Sequence, residues 1–178
     1  MPDKLERIFD EICRALENGF AYIAISVLFS IPDICSAMEK EPGHERYRKI
    51  MERYQAWCEQ YVRDSLMPMQ PSDLWAIRGG LVHNANPVAH AKSRHRKIAF
   101  ILDAKCIQIN GIMTSIETSN QPAIAMIPCH MVYEAMYGAT EIWWKEKSSD
   151  RIVLSSLKDL IAYRTDVPGH MLGVPVIM

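Results

Sequence analysis

Arg78 and His83, five positions apart, are the side chains whose types and spacing suggest chemistry beyond packing. A guanidinium offers a permanent charge and a rigid fork of donors that suit a phosphate or a carboxylate. An imidazole titrates near neutrality, so it can take up a proton and give it back within one cycle. Together they supply charge stabilisation and acid–base transfer, which are the two contributions that breaking a phosphodiester calls for.

Both residues fall in one stretch, Ser72 to Pro87, whose composition predicts a short helix. Ser72 after Pro71 is the expected N-cap, Asp73 suits the positive end of the dipole, and Asn84 to Pro87 stop the helix. Leu74, Ile77 and Leu81 form an apolar stripe, and Arg78 lies beside it, one turn after Leu74. An arginine at a core boundary needs a carboxylate, a row of carbonyls or a phosphate. His83 follows roughly 7–8 Å up the axis and about 140° round, so the two converge only if Arg78 arches over the surface or the helix distorts near its end. Gly79 and Gly80 each cost a helix interior about 1 kcal/mol relative to Ala. Such a pair points to close approach of a second backbone or a ligand. The plainer alternative is an early-fraying helix end, with Arg78 paired to a surface acid and His83 in water.

The pattern Arg78-x4-His83 on the last helix of a bundle, after an N-terminal helix pair running into Ser30-Ile31-Pro32-Asp33, resembles the HEPN superfamily (higher eukaryotes and prokaryotes nucleotide-binding). The resemblance covers Leu5 to Asn84. It implies an antiparallel helical bundle and, in catalytic members, a metal-independent RNase whose active site forms where two protomers pair their motif helices. On that reading Arg78 and His83 are catalytic, Asn84 orients the phosphate, no metal or other cofactor takes part, and the chain is a homodimer acting on RNA. Many catalytic members place Asn, Asp or His directly after the Arg, and here the residue is Gly79. Members without activity serve as binding or interaction modules. The alternative is therefore a non-catalytic dimeric module that binds a nucleotide, RNA or a protein, and either version is compatible with an antitoxin-like partner. In a third reading Arg78 is structural, bonding carbonyls at a helix interface.

The whole chain sets bounds on these readings. Its 178 residues, 49% hydrophobic and 23% charged, fit a globular protein with a core of its own. A formal charge of -1 and a pI near 6.6 exclude a dedicated non-specific DNA binder, so nucleic-acid contact must come from a local patch. The five cysteines contain no Cys-x-x-Cys pair, so they indicate neither a disulfide framework nor a zinc ribbon. The polar N-terminus lacks the order of a signal peptide, and Phe20 to Ile31 is too short to span a bilayer, so a cytoplasmic protein without membrane contact is expected.

Two parts are expected, a helical bundle over residues 1–96 and a strand–helix extension over 97–178 packed on it. The fold class is thus mainly α, with a small β-containing C-terminal elaboration and one long helix. Leu5, Ile8, Phe9, Ile12 and Leu16 predict an amphipathic helix stopping at Asn18-Gly19. Phe20 to Phe29 predicts a helix buried on nearly every face, and Pro32 a restart after a Ser30 cap. The regular stripe from Tyr47 through Tyr54 and Trp57 to Tyr61 predicts a core-facing helix, the alternative being a base-stacking platform. Lys92, Arg94 and Arg96, in the one basic run, are candidate RNA-guiding residues, or else plain solvated surface. The histidines of that run, with Cys106, Cys129 and His130, lack ligand spacing, so no metal site is expected. Ile98–Leu102 and Ile107–Ile109 predict a hairpin or three-stranded sheet between Lys97 and about Ile127, continuing into Ile112-Met113. Pro128 to Lys147 predicts the long helix, with one core and one half-buried tryptophan at Trp143-Trp144. The apolar ending from Leu172 to Met178 is expected to dock on the domain or on a partner.

Overall fold

The computed structural model describes residues 1–41, 43, 46–84, 97–102, 112–114, 124–160, 163–164 and 176–177. Five helices come first: α1 (Asp3–Glu17), α2 (Ala21–Leu28), α3 (Ile31–Met38), α4 (Tyr47–Tyr61) and α5 (Pro71–Asn84). Strands β1 (Lys97–Ile101), β2 (Met113–Thr114) and β3 (Ile124–Pro128) follow. Then come α6 (Cys129–Lys147), α7 (Arg151–Asp159), β4 (Tyr163–Arg164) and β5 (Val176–Ile177). The chain is mainly helical with a small sheet, as its periodicities predict.

Leu5, Phe9 and Ile12 bury one face of α1, which ends where expected because Gly19 takes φ 80°, a left-handed conformation that costs glycine little. The expectation for α2 needs correction. Ala24, Ile25 and Leu28 are buried, but Phe20, Tyr22 and Ile23 are exposed. The helix packs on α1, α5 and α6, and its outer face stays exposed. Ser30 does not cap α3, since its hydroxyl donates back to the Ser26 carbonyl at 2.8 Å and its backbone stays helical. Ala21–Met38, with mean hydropathy 1.7, is long and apolar enough by composition to cross a membrane, which Phe20 to Ile31 alone is not. In this fold it forms two helices, and half of it is buried.

Along α4 the aromatic stripe divides. Tyr54, Trp57, Cys58 and Tyr61 are buried, whereas Tyr47 is 67% exposed. The ring of Tyr47 lies over Trp75, 5.6 Å between centroids, at the rim of the core and not within it. Nor does Ser72 start α5. The helix begins at Pro71, and the buried Asp73 carboxylate accepts the backbone N–H of Gln70 at 3.0 Å, which is the N3 half of a capping box.

β3 is the centre of a three-stranded sheet. β1 pairs with it in parallel, with Ile98 opposite Ala125 and Phe100 opposite Ile127, and β2 pairs antiparallel on the other edge, with Met113 opposite Met126. Ile107–Ile109 lies outside the described residues. Phe100 meets Phe29 at 5.7 Å, which fastens the sheet to the bundle. The long helix α6 runs through the same core: Val132, Met136, Ala139 and Trp143 are buried, and Phe9 of α1 meets Tyr133 and Tyr137 edge-on. Trp143 donates to Glu39 Oε1 at 2.8 Å, and the other Glu39 oxygen pairs with Lys147 at 2.8 Å. Trp144 is half-buried.

Asp150 caps α7 by accepting from Ile152 at 2.8 Å. At the other end, Lys4 Nζ of α1 donates to the carbonyls of Lys158 and Leu160 at 2.6 and 2.7 Å. In the apolar ending β5 pairs antiparallel with β4, Ile177 opposite Tyr163. Cys13, Cys35 and Cys58 are free thiols, and burial pushes Cys35 and Cys58 well above the ordinary range, so those two are inert. Cys106 lies outside the described residues.

Trp143→Ala should cost about 3–5 kcal/mol, the scale of emptying a buried aromatic site, and Trp144→Ala less than half as much. Urea denaturation of both variants measures this. Equal losses would mean that the inward face of α6 is assigned wrongly.

Candidate functional site

Tyr54 sets the frame on which the candidate site is built. Fully buried on α4, its hydroxyl donates to the Phe29 carbonyl at 3.0 Å and reaches the Leu74 carbonyl at 3.4 Å. It thereby ties the junction of α2 and α3 to the first half of α5. Burial, the leading cause, lifts its pKa well above the ordinary phenol value, so the group stays a donor.

Across that frame, Arg78 Nη2 of α5 stands 2.7 Å from Asp33 Oδ2 of α3. The carboxylate, of the three partners open to Arg78, is the one it meets. The pair is neither a surface bridge nor sealed, with side chains 20% and 16% exposed. Burial raises the Asp33 pKa, and the charges of Arg78 and Arg53 pull against it. Nη2 and Oδ2 form a close ion pair, and a hydrogen bond from Arg78 adds to the pull of its charge on Asp33. Arg78 Cζ also lies 5.2 Å from the centre of the Trp75 ring, in a cation–π contact. Trp75 is held in turn by Tyr54 edge-on at 5.1 Å and by Tyr47.

His83, in the last turn, is exposed, and among the described residues none bonds to it. Arg78 turns toward α3 while His83 faces water, so no described residue joins them within one protomer. Gly79 explains little internally: a Cβ built there meets nothing within 4 Å. The outer side of α5 is thus open at this turn. The helix end is steadied by Tyr22, whose hydroxyl donates to the Leu81 carbonyl at 2.7 Å. Beside it Tyr22 and Val82 are exposed.

Asn84 ends α5, and its side chain lies outside the described residues, as do Lys92, Arg94 and Arg96. Among the described residues no group of three His, Cys, Asp or Glu is placed to hold a metal. A cleft of about 610 Å³ between α1, α2 and the end of α7 is lined by Ile8, Ile12, Ile23 and Leu160 and includes neither Arg78 nor His83. The candidate chemistry sits on an open helix face.

Sequence reasoning named neither Asp33 nor Trp75 as partners of Arg78. A signal existed for the first, because Asp33 is the one charge between Phe20 and Met38 and an isolated charge in an apolar run needs an opposite charge. No protein-family model, curated protein or solved structure matches the chain.

Asp33→Ala and Arg78→Ala should each destabilise the fold by about 1–3 kcal/mol, and the double variant by clearly less than the sum. Additive losses in denaturant titrations would show that the pair does not couple. Folded Asp33 holds its proton to a higher pH than the unfolded chain does. Its contribution to stability therefore falls as pH rises through the window above about 3.9. Asp33→Asn should remove that slope from a stability curve taken between about pH 4 and 7, and an unchanged slope would assign it to other groups.

Proposed function

We propose that this chain is a HEPN-type dimeric RNase that cleaves RNA without a metal, using Arg78 and His83 from both protomers. The observation that carries the reading is Arg78: a half-buried guanidinium held by Asp33 and Trp75, on the helix whose last turn offers His83 to solvent. A surface arginine without a task needs no such seat.

Two features of the face support pairing of protomers. Gly79 leaves an open notch on α5, and the exposed Tyr22 and Val82 lie at the end of the same helix. When two such helices pair, the His83 that one protomer keeps apart from its own Arg78 comes to the partner's half of the site. An RNA 2′-hydroxyl then attacks the adjacent phosphorus as one His83 removes its proton. The bond from phosphorus to the 5′-oxygen breaks, and the second His83 protonates that oxygen. The two Arg78 side chains balance the charge that builds on the non-bridging oxygens. The products are a 2′,3′-cyclic phosphate and a free 5′-hydroxyl.

Cleavage of a mixed RNA pool in EDTA tests the chemistry. The wild type should yield 2′,3′-cyclic ends, and His83→Ala should lose at least about a hundredfold in rate, the scale of one general acid–base group. Cleavage unaffected by that change would end the reading. Pairing has a separate test. Gly79→Leu meets open space within the protomer, so it should stay folded with a melting temperature no lower than wild type and yet sediment as a monomer. A dimer that survives with full affinity would move the interface elsewhere.

One observation favours a second reading. Arg78 is already paired with Asp33, and the residue after it is Gly79. In that version the dimer cleft binds a nucleotide, RNA or a protein without cutting, and His83→Ala leaves affinity intact.

A further inference from the structure

The start of α4 is built against its own stability. Arg46, Tyr47, Arg48 and Lys49 are all exposed there, the first turn holds no acid, and no side chain caps it. Cations at a helix N-terminus oppose the dipole and cost stability. Of these, Arg48 pairs with Glu52 at 2.9 Å, both exposed, which is worth little. The later members of the same stripe, Tyr54, Trp57 and Tyr61, bury their rings in the core. Tyr47 leaves two thirds of its side chain in water.

That ring is not isolated from the candidate site. It lies 5.6 Å from Trp75, and the Trp75 ring is 5.2 Å from the Arg78 guanidinium carbon. A row therefore runs along the outside of the bundle: an exposed tyrosine, a nearly buried tryptophan that braces it, then the arginine. Trp75 and Arg78 are separated along the α5 axis by about 4.5 Å at 1.5 Å per residue. An exposed aromatic face beside fixed cations is the arrangement that single-stranded nucleic acids use, stacking a base on the ring while the backbone meets the charges.

We propose that Tyr47 is a base-stacking residue: it receives the nucleobase next to the phosphate that Arg78 engages, with the neighbouring Arg46 guiding the flanking backbone. This rests on the RNA reading of the Arg78 site and deepens it. The ring face is common to every base, so the subsite selects single-stranded RNA over duplex and not one sequence over another. Trp75 is the support that keeps the Tyr47 ring in place.

The test is binding of a short fluorescein-labelled single-stranded oligoribonucleotide, 2′-O-methylated so that it cannot be cut, in EDTA. Wild type, Tyr47→Phe, Tyr47→Ala and Arg78→Ala are compared, and the same set is run on an abasic oligonucleotide of equal length. Tyr47→Phe should bind like wild type. Tyr47→Ala should bind about tenfold more weakly, the scale of one lost base stack, and that loss should vanish on the abasic strand. Tyr47 is largely solvated, so Tyr47→Ala should melt within a few degrees of wild type, which separates lost stacking from lost folding. If Arg78→Ala weakens binding and Tyr47→Ala does not, stacking is overturned and the Arg78 site stands. Stacking is likewise overturned if Tyr47→Ala loses equally on the abasic strand. If the wild type binds neither oligonucleotide, both readings fall together.

Discussion

A guanidinium drawn half out of water has to be answered by charge, and here the answer comes from α3. The Asp33–Arg78 pair joins the most apolar stretch of the chain to the helix that carries His83. Each charge alone would be expensive in that position, and together they are tolerable only if both helices hold register. Tyr54 supplies the register by bonding carbonyls on either side of the pair. The placement of Trp75, the outward turn of Gly79 and the direction of α5 all follow from that lock. The pair is also left partly open to water, so it positions Arg78 without sealing it.

Much of this arrangement was legible in the residues. The periodicities of α1, α5 and α6 found their inward faces, because a helix has one way to bury a stripe of Leu, Phe and Ile. The need of Arg78 for a counter-charge was legible too, though not the identity of its partner, since the contact joins two helices that sequence spacing cannot align. α2 misled for a related reason. Apolar residues on every side say that a helix resembles a core, but the neighbours decide, and Phe20 and Ile23 stay more than half exposed. Tyr47 misled in the opposite direction: it begins the stripe of Tyr54 and Trp57, yet α4 has not reached the edge of the core there. Helix starts were the weakest point. Ser72 and Ser30 look like caps, while the work at α5 is done by Asp73 and Ser30 bonds backward.

With a formal charge of -1, the protein cannot attract a polyanion by its overall field. Whatever anion it meets must be recognised by a small area in which cations outnumber acids. The described surface has one such area at the start of α4, a short way from Arg78 by way of Trp75. Recognition and positioning are thus divided between two helices that share an aromatic contact, and neither needs a deep pocket.

Lys4 has a consequence of a different kind. Its ammonium bonds the last carbonyls of α7 across a sequence separation of 154 residues and more. During synthesis α1 leaves the ribosome before α7, so the two ends of this clasp are made at different times, at least 154 residues apart. Contacts of such length form late and slow a fold down. Until they form, the face of α1 that carries Ile8 and Ile12 waits without its final neighbours, and the nascent chain must stay soluble with that surface uncovered.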